Sequence, residues 1–276
     1  MYDFYSDTKT KPSKEMLEYA LGRTFGDEQK DEDPTTLELC ERVASLLGKE
    51  SAVFLPSGTM CNEIAISVQT SPGDEILCDR TCHIINFEGG APAAMSGVMI
   101  HPLDGKYGQF TKEDVSQALR PKSRHMPISR MLCAEQTVNL GGGGVWPVEK
   151  LDSVAQVAKK SGLSTHLDGA RLLNACVKTG ISAARYSHEY DSCWIDFTKG
   201  LGAPVGAVLA GSTDFIEAAW RVKQRIGGAM RQSGVIASFC LYALEKNVER
   251  LADDHALATK ISSSLEHLPG IVNVLP

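Results

Sequence analysis

Two hydrophobic periods alternate along most of the chain. Residues 36–48 (TLELCERVASLLG) place apolar side chains every three to four positions and stop at a glycine, which predicts a helix. AVFL at 52–55 is a short apolar run of the kind that forms a buried strand. The same reading predicts strands at 75–78, 97–103, 130–135, 163–167, 192–197 and 205–211. It predicts helices at about 60–69, 112–119, 147–161 and 170–180, and another after 211. Residues 235–267 read as a long helical region broken near 241–247, and GIVNVLP at 270–276 as one more strand. GGGG at 141–144 reads as a flexible loop.

Strands alternating with helices of this length predict an α/β fold, its central sheet mostly parallel and covered by helices on both faces. The expected organisation is a large domain at 1–246, with an N-terminal arm at 1–15. Residues 247–276 are expected to be a linker helix and the start of a small C-terminal domain that the chain does not complete. In such sheets ligands bind beyond the carboxyl ends of the strands. Five polar clusters fall at predicted strand ends: SGT at 57–59, CHIINFE at 82–88, EQTVN at 135–139, HLDGAR at 166–171 and TKG at 198–200.

Composition narrows the function. The 276 residues are 43% hydrophobic and 22% charged, an ordinary globular balance. A net charge of -6 without any stripe of Lys or Arg argues against a nucleic-acid partner. No apolar run reaches the ~20 residues of a membrane span, and the polar start MYDFYSDTKT is no secretory signal. The eight cysteines are scattered through apolar stretches, as expected of reduced thiols in a cytoplasmic protein. Cys78 and Cys82 lie beside His83, but no second pair completes a zinc set, so no metal is expected. No G-x-G-x-x-G follows the first strand, which sets aside a nicotinamide-binding reading.

Each cluster alone has an ordinary structural explanation. Ser57-Gly58-Thr59 is a helix N-cap as readily as a phosphate cup. Asp168 and Arg171 can form a structural pair at a helix start. A lysine at the end of a buried strand, Lys199, must be held or used, and in a partly apolar site its amine becomes a nucleophile. Together, an anion cup, an acidic strand end and a strand-end lysine match the needs of pyridoxal phosphate. That cofactor requires a phosphate site, a carboxylate at its ring nitrogen and a lysine that bonds its aldehyde. His83 is placed to stack on the ring.

With these residues in view the chain resembles the L-threonine aldolases, the beta-eliminating-lyase group of the fold type I (aspartate-aminotransferase-like) pyridoxal-phosphate enzymes. YSDTKTKPS at 5–13, GKESAVFLPSGTMCNEIA at 48–65, HLDGARLLNA at 166–175, TKGLGAPVGAVLAGS at 198–212 and GGAMRQSG at 227–234 carry the likeness in order. The resemblance implies that Lys199 bonds the cofactor, Asp168 pairs with its ring nitrogen and Arg171 holds its phenolic oxygen. It implies that Ser57, Gly58 and Thr59 bind the phosphate and that His83 stacks. Ser6, together with Arg171 or a second arginine, would hold the substrate carboxylate, and Arg231 would reach a neighbouring subunit's phosphate. It further implies homodimers or homotetramers with sites at the dimer interface, acting on a small amino-acid substrate. The implied reaction is cleavage of L-threonine or L-allo-threonine to glycine and acetaldehyde.

Four positions depart from the family pattern. Tyr5 stands where relatives have arginine, Lys30 where they have tyrosine, and Val138 where they read histidine in ENTHN. The arginine of the C-terminal domain lies beyond this chain. Valine cannot take a proton, so His83 or a cofactor-held water is the expected base. Two alternatives remain: another pyridoxal-phosphate lyase or racemase, and a cofactor-binding homologue with impaired catalysis.

Overall fold

In a computed structural model, residues 3–266 and 268–271 are described. Seven strands form one sheet: β1 Ser51–Leu55, β2 Asp74–Asp79, β3 Met99–Leu103, β4 Ile128–Glu135, β5 Ser164–Gly169, β6 Ser192–Asp196 and β7 Ala207–Gly211. Their order is β1-β7-β6-β5-β4-β2-β3. β2 pairs in parallel with β3 and β4, β4 with β5, and β5 with β6, while β7 runs against both of its neighbours, β1 and β6. The mostly parallel sheet read from the sequence is present.

The helices are α1 Lys14–Leu21, α2 Pro34–Leu47, α3 Gly58–Gln69, α4 His83–Asn86, α5 Ala91–Ser96 and α6 Lys112–Ala118. They continue as α7 Val148–Lys160, α8 Leu172–Thr179, α9 Ala183–Ser187, α10 Thr213–Arg225, α11 Gly234–Lys246 and α12 Leu251–Leu265. Their ends follow local chemistry. The Asp33 side chain accepts from Thr36 N to cap α2, Pro34 occupies its first position, and Gly48 closes it with φ 61°. Three apolar clusters fill the space on the two faces of the sheet. Leu39, Val43 and Leu47 of α2, Leu151 and Val154 of α7, and Ala237 and Leu241 of α11 share the largest one with Leu251 of α12.

The interruption expected near 241–247 lies at 247–250, between α11 and α12. The strand expected at 270–276 falls, from residue 272, outside the described residues. GGGG at 141–144, read as a flexible loop, is a closed turn. Val138 N donates to Gly144 O at 3.2 Å and Gly143 N to Val138 O at 2.9 Å. Val138 itself is buried, 1% exposed, and points into the loop at 105–108, because a Cβ on Gly108 would meet its Cγ1 at 2.3 Å. None of the described helices is long and apolar enough to cross a membrane.

Candidate active site

Five strands that run the same way deliver their carboxyl ends to one edge of the sheet. β1 leads through Ser57 into α3, β2 into the turn that carries His83, and β4, β5 and β6 end at Glu135, at Asp168-Gly169 and at Asp196. A cavity of about 250 Å³ opens there, lined by Ser57, Gly58, Thr59, His83, Asp168, Arg171 and Lys199 among others. Seven of the nine residues singled out from the sequence thus meet in one place. A larger cleft of about 700 Å³ beside it shares Arg171 and is lined by Asn174, Lys178 and His255.

The start of α3 is built as an anion seat. Ser57 Oγ accepts from Met60 N at 3.3 Å, while the N–H groups of Gly58 and Thr59, in the first turn, have no intrahelical acceptor. The helix dipole adds positive potential at that end. Gly58 is required by its neighbour, since a Cβ there would lie 2.2 Å from Cη2 of Trp194. That indole is 2% exposed and its Nε1 donates to Asn62 Oδ1 at 2.8 Å, so it cannot yield easily. Gly58→Ala is therefore expected to cost about 1–3 kcal/mol of stability. A fall in melting temperature of at least about 2 °C would register it; an unchanged midpoint would mean the indole moves freely.

Lys199, 14% exposed at its side chain, has a charge partner that the sequence reading did not name. Its ammonium is ion-paired with Asp196, three residues back, and lies 5.7 Å from the centre of the Trp194 ring. Asp196 also accepts from Thr198 N at 2.8 Å and Thr198 Oγ1 at 2.7 Å, so the carboxylate is held before the lysine reaches it. The strand end supplies the charge partner that a buried ammonium needs.

Asp168, 1% exposed, accepts from Asn62 Nδ2 at 2.9 Å and from Ala170 N at 3.1 Å. Burial pushes its carboxyl up to about 6, and the Asn62 hydrogen bond only partly opposes this. The carboxylate is thus in want of a cation. His83 sits opposite, with its Nδ1 at 2.7 Å from Glu88 Oε1. Burial alone would lower the imidazole. The Glu88 hydrogen bond and the nearby charges of Asp168 and Glu88 outweigh it, so the ring titrates above the ordinary histidine range. The His83 backbone N–H is fixed by Glu135 Oε2 at 2.9 Å.

Arg171 projects from the start of α8 and is held by Asp7 through Nε at 2.8 Å and a terminal nitrogen at 2.7 Å, with Asn139 Oδ1 at 3.3 Å. Burial disfavours its charge, but the bidentate Asp7 pair more than compensates and holds the guanidinium's proton firmly. Ser6 caps the short turn that carries Asp7, accepting from Thr8 N at 3.2 Å, and does not line the cavity. Arg231 also lies off this cavity, 62% exposed at its side chain and paired with Asp27 at 2.8 Å.

Sequence reasoning missed Asn62, Glu88, Trp194 and Asp196. Asn62 spends all four of its hydrogen-bonding sites. Its amide nitrogen donates to Glu88 at 2.6 Å and to Asp168, and its oxygen accepts from Trp194 and faces His166 Nε2 at 3.0 Å. It lies one helical turn after Gly58, which is the one signal that pointed to it. His83, Glu88 and Asp168 also offer three ligand atoms within 4.8 Å of one another. Asn62 already donates to both carboxylates, so a cation there would have to displace its amide.

Residues 3–275 match the model of the beta-eliminating lyase family. The chain belongs to that family. It is 39% identical over 279 residues to low-specificity L-threonine aldolase 1 of Arabidopsis thaliana, spanning 99% of this chain and 77% of that protein. It is 36% identical to the low specificity L-threonine aldolase of Escherichia coli K12, covering 96% of this chain and 79% of the relative. Among solved structures, the threonine aldolase of Leishmania major superposes with a TM-score of 0.88 at 22% identity, over 100% of this chain and 82% of its own, a likeness of fold. The mostly parallel sheet flanked by helices is accordingly that of fold type I.

Proposed function

We propose that the chain cleaves a β-hydroxy-α-amino acid of the threonine type to glycine and an aldehyde, with pyridoxal phosphate as cofactor. The observation that carries this is the convergence of Lys199, Asp168, His83 and the N-terminus of α3 on one cavity. The residues fit the group on structural grounds. A pair of N–H groups at the start of α3 is free to bind an anion, Asp168 is buried without an ion pair among the described residues, and Lys199 lines the same cavity. When bound, the cofactor would supply an electron sink for the bond that breaks at the α carbon.

The protein's own groups do the rest. Gly58 and Thr59 N–H and the Ser57 hydroxyl would hold the phosphate. Asp168 would face a ring nitrogen and favour its protonated form, an arrangement that would also satisfy its own buried charge. Asp196 holds the Lys199 amine at the cavity. Arg171, fixed by Asp7, presents donors to a phenolic oxygen or a substrate carboxylate. Ser6, whose hydroxyl is engaged by Thr8 outside the cavity, would contribute only indirectly, through the turn that carries Asp7. Val138 points away into the core, so His83 is the side chain placed to take the substrate hydroxyl proton. The exposure of Arg231 and its absence from its own cavity support a role at a second copy's site, in a homodimer or larger assembly.

Because His83 must be neutral to act as base and is raised above the ordinary range, cleavage is expected to increase with pH through a value above 6.5. The direct test is visible absorption of the protein with added pyridoxal phosphate. The wild type is expected to show the band of a lysine-bound cofactor and Lys199→Ala to lack it. No band in a folded wild type would end the reading. Rates on threonine and allo-threonine against serine and alanine then separate an aldolase from another lyase or a racemase. His83→Phe is expected to keep the band and lose turnover; full turnover would remove His83 as base.

A further inference from the structure

Behind His83 lies a carboxyl pair that the proposed mechanism does not use. Glu88, in the turn between α4 and α5, has a fully buried carboxylate. Its Oε1 is shared by Asn62 and His83, at 2.6 and 2.7 Å, whereas its Oε2 has no partner. Glu63, next to Asn62 on α3 and 2% exposed, has neither carboxyl oxygen paired. The two side chains lie within hydrogen-bonding reach of each other. A proton on Glu63 donated to Glu88 Oε2 would pair two of these three buried carboxyl oxygens and remove the repulsion between two ionised groups.

We propose that Glu63 is a positioning residue that carries a proton at neutral pH and donates it to Glu88 Oε2. Glu88 then stays a carboxylate, accepts from His83 Nδ1–H, and leaves Nε2 as the basic nitrogen toward the cavity. This inference rests on the reading of His83 as base.

The surroundings are consistent with a single proton. Burial first, and Glu88 second, push the Glu63 carboxyl up to about 8. The elements packed on α3 bring no competing partner among the described residues. α5, β1 and β7 hold no charged group in their ranges. Lys223 of α10 is taken by Glu28, Arg130 of β4 by Asp74, Asp196 of β6 by Lys199, and Asp168 and His166 of β5 by Asn62. Glu135, at the end of β4, accepts from two backbone N–H groups. Asp168 and His83 therefore act on the pair through Glu88.

Infrared spectra of the cofactor-free protein test the proton directly. The wild-type-minus-Glu63→Gln difference spectrum is expected to show the carbonyl stretch of a protonated carboxyl at pH 7, lost as pH passes about 8. The difference removes any band from Glu135, whose carboxyl burial also raises. Absence of that difference band between the folded proteins overturns the proposal whatever the enzyme's activity. The second readout is the pH profile of threonine cleavage by the loaded enzyme. Glu63→Gln keeps a donor and is expected to hold the wild-type limb. Glu63→Leu leaves Glu88 more basic and is expected to move that limb upward by about one pH unit. Superimposable profiles for wild type and Glu63→Leu would reduce Glu63 to a structural role and overturn it too.

Discussion

Asp168→Asn is expected to lower threonine cleavage by about 10³-fold, the scale on which one preorganised electrostatic partner acts, and to gain stability relative to wild type, in the cofactor-free protein, as pH rises from acid to neutral. Both effects come from one buried carboxylate. Under the proposed function it would face a protonated ring nitrogen in the loaded enzyme, and an amide could not balance that charge. In the cofactor-free protein the same carboxylate has no cation. Its folded value of about 6 stands above the ordinary 3.8, so the folded state binds the proton more tightly than the unfolded chain. The contribution is then fully present below about 4 and lost as pH rises through about 6. The span corresponds to at most about 3 kcal/mol. Melting curves of both proteins without cofactor at pH 4, 5, 6 and 7 provide the check. The variant's midpoint should improve relative to wild type as pH rises, by up to roughly 6–12 °C. His166, buried neutral with its imidazole lowered to about 3, gains stability over the same range, but it is present in both proteins and cancels in the difference. A constant difference across this range would mean that Asp168 does not titrate there. Unchanged turnover would remove it from the cofactor's ring.

Much of this site was legible in the sequence because a parallel sheet concentrates chemistry at strand ends. Once 163–167 and 192–197 read as strands, Asp168 and Lys199 had to fall at one edge, and β5 and β6 do pair in parallel. SGT followed from the same logic at the end of β1. What was missed lies one step behind the surface. Asp196 escaped notice because a strand-end lysine was read as an amine in a partly apolar site, although its partner sits three residues earlier in the same stretch. Glu88 and Asn62 escaped because their roles depend on α3 packing over β5, a contact between segments 106 residues apart in the Asn62–Asp168 pair. The short helices α4, α5 and α9 were absent from the sequence reading, since four to six residues cannot display a helical period. Val138 could be read from the sequence only as a side chain without a proton to exchange; the fold adds that it faces the 105–108 loop.

The second large effect concerns Asn62, and it is expected to fall on stability as much as on catalysis. Asn62→Leu keeps the helix and roughly the volume, but removes the donor to Glu88 and Asp168 and the acceptor for Trp194 and His166. Each buried polar group left without a partner costs about 1–3 kcal/mol. Together they approach about 4–6 kcal/mol, a large share of the 5–15 kcal/mol that ordinarily holds a domain folded. A melting temperature lower by about 10–20 °C is expected. Asn62→Asp fails differently. It keeps the acceptor for Trp194 Nε1, but sets a carboxylate against Asp168 and Glu88, next to Glu63. Its deficit should therefore shrink as pH falls and the cluster takes up protons, whereas the deficit of Asn62→Leu should persist. Parallel melting curves at pH 5 and pH 8 distinguish the two. If both variants melted within about 3 °C of wild type, the amide would be one bystander among many, and the link from α3 to Asp168 and to His83 would have to run through Trp194 instead.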